Sequence, residues 1–177
     1  MDLRVKKTKS AIINAFLTLR AQKPLEKITI KELAERAMIN KATFYLHYRD
    51  VYDLSETMET DVVNRVIDNI QHPEYIFTDT ETFVKELMES YFSQRTMIET
   101  IFSGGQMSHL PSKIEESIRK VAFVHNPELK NDLRYQLLLS YCIYGAYYAY
   151  MQNDGEDLYA ATEVIGKISA AARQAID

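Results

Sequence analysis

Apolar residues recur along this chain at spacings of three and four, and no stretch alternates strictly. That pattern predicts helices with one buried face and gives no strand. Val5, Ile12, Ala15, Phe16 and Leu19 place a first helix at about 5–21, ended by Lys23-Pro24, since proline disfavours helix in the residue before it. Thr29 reads as an N-cap, with Glu32 three residues on completing a capping box. The second helix, about 30–37, buries Ile30, Leu33, Ala34 and Ala37. Met38-Ile39 then turns the chain, and Asn40 caps a third helix at about 41–48. Asp50 caps a long fourth helix running through Leu54, Met58, Val62, Val66 and Ile70 to a stop at His72-Pro73.

Beyond this point the same periodicity continues. Thr80 precedes a helix carrying Phe83, Leu87 and Tyr91, which resumes after a break through Met97 and Ile101 until Gly104-Gly105. Ser112 is expected to cap the next helix, and Asn126-Pro127 to start a long one reaching about Gln152. A turn at Asn153-Asp154-Gly155 leads into a last helix at about 158–176. The expected fold is all-α, with a three-helix helix-turn-helix head over 1–50 and a helical body over 51–177.

Composition narrows the function classes. The single Cys142 excludes an internal disulfide and a cysteine metal cluster, and it lies in an apolar helix where a thiol is inert. No apolar run approaches the roughly 20 residues needed to span a bilayer. MDLRVKKTKS has basic residues without an apolar core behind them, so no signal peptide and a cytoplasmic location are expected. No glycine-rich phosphate loop, metal-ligand spacing or Ser-His-Asp pattern stands out, so neither an enzyme nor a cofactor is expected. The net charge of −4 hides a division. Residues 1–50 carry 11 Lys and Arg against 5 Asp and Glu, or +6, and residues 51–177 carry 10 against 20, or −10. A basic head on an acidic body is oriented toward phosphate.

The segment ITIKELAERAMINKATFYLHYRDVYDL, residues 28–54, meets the steric demands of a helix-turn-helix. Ala34 is small where the helices cross, Leu33, Ala37, Ile39 and Phe44 lock the pair, and Tyr48 joins the core. With KTKSAIINAFLTL before it, this stretch resembles the TetR family of one-component bacterial regulators over residues 6–60, most closely in the recognition-helix motif TFYLHY. CIYGAYYAYMQNDG and the final helix are similar to the family's last two helices in layout.

The resemblance implies double-stranded DNA as partner, and a contact set of Lys6, Lys7, Lys9, Thr29, Lys41, Ala42, Thr43, Tyr45, His47 and Arg49. Thr43 would meet a phosphate or base edge, Tyr45 a phosphate and a thymine methyl, and His47 the backbone. Thr29 would present the second helix's N-terminus to phosphate. Lys41 is placed to read guanine, and Lys6, Lys7 and Lys9 add salt-dependent attraction. Two positions depart from the family pattern: Met38 stands where the turn usually has glycine, and Val51 where a phosphate-binding lysine is common. Arg49 is the expected substitute for that lysine.

For the body, the resemblance implies a homodimer joined through the last two helices and a small-molecule effector bound inside. The expected dimer residues are Tyr141, Gly145, Tyr148, Gly166 and Ile168. Met88, Tyr91, Phe92, Met97, Phe102, Met107, Phe123 and Tyr144 are expected to line the effector site. Together these describe an effector-responsive repressor on a palindromic operator. The two departures leave a second reading open, a helical protein-interaction module with weak or no DNA binding.

Overall fold

The computed structural model describes residues 3–153 and 157–176, so residues 154 and 155 of the expected turn lie outside it. Among the described residues there are nine α-helices and no strand. They are α1 (Leu3–Arg20), α2 (Ile30–Arg36), α3 (Lys41–Tyr45), α4 (Val51–Asp68) and α5 (Thr80–Ser93). After them come α6 (Arg95–Ile101), α7 (Leu110–His125), α8 (Leu133–Gln152) and α9 (Leu158–Gln174). The chain divides into two compact units, one of residues 1–62 and 96–108, the other of 63–95 and 109–177. The first unit therefore takes in more than the expected 1–50, and the division falls inside α4.

In the first unit α1 packs on α2 and α2 on α3. Ile12, Phe16 and Leu19 lie on one face of α1 and are buried, as are Leu33, Ala34 and Phe44. Ile30 is only half-buried, and Leu25 and Ile28 fill the core before α2 instead. Arg20, at 3% exposure, ties the later segment to this head. Its Nη2 donates to the carbonyls of Ile101 at 3.0 Å and Ser103 at 2.9 Å, and its Nη1 to that of Lys23 at 3.3 Å. Burial pulls this guanidinium below its ordinary value, opposed by the carboxylates of Glu26 and Glu59.

The second unit is held by α5 against α9 and α7 against α8. Gly166 makes the α5–α9 approach close: a Cβ there would stand 3.2 Å from the Glu81 side chain. Glu86 of α5 receives the Gln71 and His72 N–H groups just past α4, each at 2.9 Å, and pairs with His72 Nδ1 at 2.6 Å. Glu115 and Arg119 of α7, 2.7 Å apart, share hydrogen bonds with Ser140 and Gln136 of α8.

Four expected boundaries are corrected. The third helix stops at Tyr45, and residues 46–47 form a turn leading to Tyr48. α5 includes Thr80, and Asp79 is its cap, accepting from the Thr82 N–H. Ser112 lies in the first turn of α7 beside Pro111, its hydroxyl donating back to the His109 carbonyl, so it caps nothing. Asn126-Pro127 opens only a 3₁₀ turn, Pro127–Leu129, and the long helix waits for Asp132, which accepts from the Arg134 N–H at 2.9 Å.

Candidate nucleic-acid interface and internal cavity

The helix-turn-helix is built from local hydrogen bonds. Thr29 Oγ1 accepts the Glu32 N–H at 3.3 Å while the Glu32 carboxylate receives the Thr29 N–H and hydroxyl at 3.0 and 2.8 Å. Lys23 Nζ adds an ion pair at 2.5 Å. That contact and the Thr29 bonds pull the Glu32 carboxyl down to about 2. α2 ends in a Schellman motif: the Ile39 N–H reaches the Ala34 carbonyl at 2.9 Å and the Met38 N–H that of Glu35 at 3.2 Å. This geometry demands a left-handed residue, and Met38 supplies it at φ 53° with its side chain 91% exposed. Asn40 then starts α3, its Oδ1 accepting the Thr43 N–H at 2.7 Å.

α3 is anchored through Phe44 and the following Tyr48, both buried, their rings 5.8 Å apart. The same anchoring exposes Lys41 and Ala42 and, one helical turn on, Tyr45. Tyr45, 56% exposed, holds its ring edge-on to Phe44. His47 and Thr43 are half-buried, and the Thr43 hydroxyl donates to Asn40 Oδ1 at 2.9 Å. Lys6 and Lys7 of α1 are exposed and Lys9 is half-buried. A shallow crevice between α1 and α3 brings Lys9 together with Thr43 and His47.

Sequence reasoning missed four members of this crevice, Arg4, Val5, Thr8 and Leu46. Arg4 and Thr8 follow the same helical spacing as Val5 and Lys9, which was the available signal. Leu46 is 81% exposed directly beside Tyr45, and nothing local distinguishes it from a core leucine. Arg49 does not stand free for the role expected of it. Its guanidinium pairs with Asp53 Oδ1 at 3.0 Å and its N–H donates to Oδ2 at 2.8 Å. Val51, where the family resemblance looks for lysine, is buried in the core.

The second unit holds a cavity of about 100 Å³ that is partly open to solvent. Of the expected effector-site residues, Met88 and Tyr91 line it. Phe92, Met97, Phe102, Met107, Phe123 and Tyr144 do not, and 97, 102 and 107 belong to the first unit. Phe102 is fully buried there. The walls come instead from Phe77, Phe83, Ile118, Leu138, Cys142, Tyr150 and their neighbours. Of the expected dimer residues, Tyr141, Gly145, Tyr148 and Ile168 are exposed. Gly166 is the correction, buried inside its own chain against Glu81.

A relative in Bacillus subtilis (strain 168), an uncharacterized HTH-type transcriptional regulator named YxbF, is 35% identical over 71 residues, which are 40% of this chain. That match spans 19% of the relative's own length. No family model and no solved structure matches the chain. No described helix is long and apolar enough to cross a membrane, and no three His, Cys, Asp or Glu among the described residues are grouped to hold a metal.

Proposed function

We propose that this chain is a DNA-binding transcriptional regulator of the TetR type, a homodimeric repressor that leaves a palindromic operator when a small molecule binds its second unit. The observation that carries the reading is α3. Five residues long, it is pinned by Phe44 and offers Lys41, Ala42 and Tyr45 to solvent in the more basic part of the chain. A recognition helix needs a rigid, narrow edge of this kind to enter a major groove. The similarity to a protein named as a transcriptional regulator supports it.

Two further features support the finer parts. Tyr141, Tyr148, Val164 and Ile168 are large apolar side chains left exposed on α8 and α9, the surface that a two-fold partner would cover. The cavity of the second unit offers an effector site. An effector that favours one of two conformations lowers affinity for DNA, and by linkage DNA lowers affinity for the effector.

The test is selection of binding sequences from random duplex DNA by the full chain, followed by titration at several salt concentrations. The expected result is a two-fold symmetric site whose affinity falls steeply with salt and is lost in the Lys41→Ala, Tyr45→Ala double variant. Failure to select any sequence, or unchanged binding by the double variant, overturns the reading. The Arg49–Asp53 pair favours the alternative of a protein-interaction module, because it engages a cation otherwise available to phosphate. Under that alternative, selection fails while the fold and dimer persist.

A further inference from the structure

We infer that the effector site takes a small, uncharged, apolar molecule about the size of a single aromatic ring, and rejects ions of the same shape. This rests on the reading of the second unit as an effector-binding body. Among the described residues that line the cavity, none carries a charge. Of its polar side chains, the Thr80 hydroxyl donates to the Ile76 carbonyl at 2.9 Å, and Cys142 and Ser169 are hydrogen-bond partners. An ionised group entering such a site gives up its hydration and finds no counter-charge. A hydrocarbon entering it loses nothing and leaves water.

Size points the same way. At about 100 Å³ the space is somewhat smaller than apolar cavities of about 150 Å³, which stay dry and accept benzene or xenon. Phe77, Phe83, Tyr91 and Tyr150 supply aromatic surface, with the Tyr91 and Tyr150 rings edge-on at 5.7 Å. Such surroundings favour an aromatic guest through edge-to-face contact. Met88, also in the wall, is the side chain best able to yield to a slightly larger one.

Cys142 is the chain's one cysteine and stands in the cavity wall, so its alkylation rate reports occupancy without any label. The experiment measures that rate and the melting temperature of the full chain with toluene, benzoate or benzylammonium, three probes of nearly one shape and three charges. Toluene is expected to slow alkylation at least tenfold at saturation and to raise the melting temperature, while the two ions do neither. In Ala146→Phe, which fills the cavity, the toluene response is expected to vanish, with circular dichroism confirming that the variant is folded. If it does not fold, Ser169→Leu replaces it. Protection by benzoate or benzylammonium equal to or above that by toluene overturns the ligand class and leaves an effector site standing. Protection by none of the three means that the cavity is a packing void, and the effector reading falls with it. A toluene response that survives filling puts the site elsewhere and overturns the assignment.

Discussion

Met38 shows how much one residue can ask of its neighbours. The left-handed backbone costs a non-glycine residue roughly 1–2 kcal/mol, and the two Schellman hydrogen bonds hold Met38 there. Met38→Gly is expected to raise stability by about 0.5–1 kcal/mol in urea denaturation, glycine's greater unfolded freedom offsetting part of the relief. Met38→Val is expected to destabilise, because a β-branched residue tolerates this conformation least. On α3, Asn40 Oδ1 accepts both the N–H and the hydroxyl of Thr43, so under the proposed function base reading falls to Lys41 and to apolar contact. Under the proposed function, Lys41→Ala is expected to cost about 1–3 kcal/mol and relax specificity at one base pair. Lys6→Ala with Lys7→Ala is expected instead to weaken all sequences alike and flatten the salt dependence. Titration of selected and mutated sites against salt separates the two behaviours.

Elements were legible in the sequence where their ends are fixed locally. Thr29 with Glu32, Asn40 and Asp50 each cap the helix they were expected to cap, because the bonding partner lies three residues away. Ser112 and Asn126 do not cap the helices expected of them. The Ser112 hydroxyl donates back to the His109 carbonyl, and Asp132, six residues past Asn126, holds the start of the long helix. The cavity was hardest to read. A period of 3.6 says which residues turn inward, but not whether they meet a side chain or leave a space. Phe102 turned inward into a filled core and Leu138 into an open one.

The His72–Glu86 pair sets a pH dependence at the element scale. Pairing with Glu86 raises the His72 pKa above its ordinary 6.5. A raised histidine contributes stability in full below the free value and loses it as pH rises through the folded one. Burial opposes the lowering of the Glu86 carboxyl but is outweighed by its bonds to the His72 ring and to the N–H groups of His72 and Gln71. The Glu86 contribution is thus present above the ordinary glutamate range and fades as pH falls through its folded value. Urea midpoints are expected to favour the native chain over His72→Gln at pH 6, with the difference shrinking by pH 8. An equal difference at both pH values would rule out the pairing as its source.

At the scale of the whole molecule, the exposed apolar surface of α8 and α9 is expected to be covered by a second copy. Tyr141→Glu with Ile168→Glu is expected to convert a dimer to a monomer in light scattering, with helicity unchanged. Gly166→Ala probes something else. Its added methyl meets only Glu81 of the same chain, so it is expected to leave the oligomeric state unchanged. The placement of 96–108 with the head was beyond a reading of local pattern, since nothing in Arg20 itself says that its acceptors lie so far along the chain.

The two carbonyls that receive Arg20 are 81 and 83 residues downstream. Burying the guanidinium without them leaves a charged donor unsatisfied, a cost of about 1–3 kcal/mol or more. During synthesis, then, the first helices are complete long before their unit is. At roughly 5–20 residues per second, several seconds pass between the emergence of Arg20 and that of Ser103. The segment that would meet DNA is thus made well before it is finished, and a nascent chain stalled before residue 103 should carry a head still open to protease.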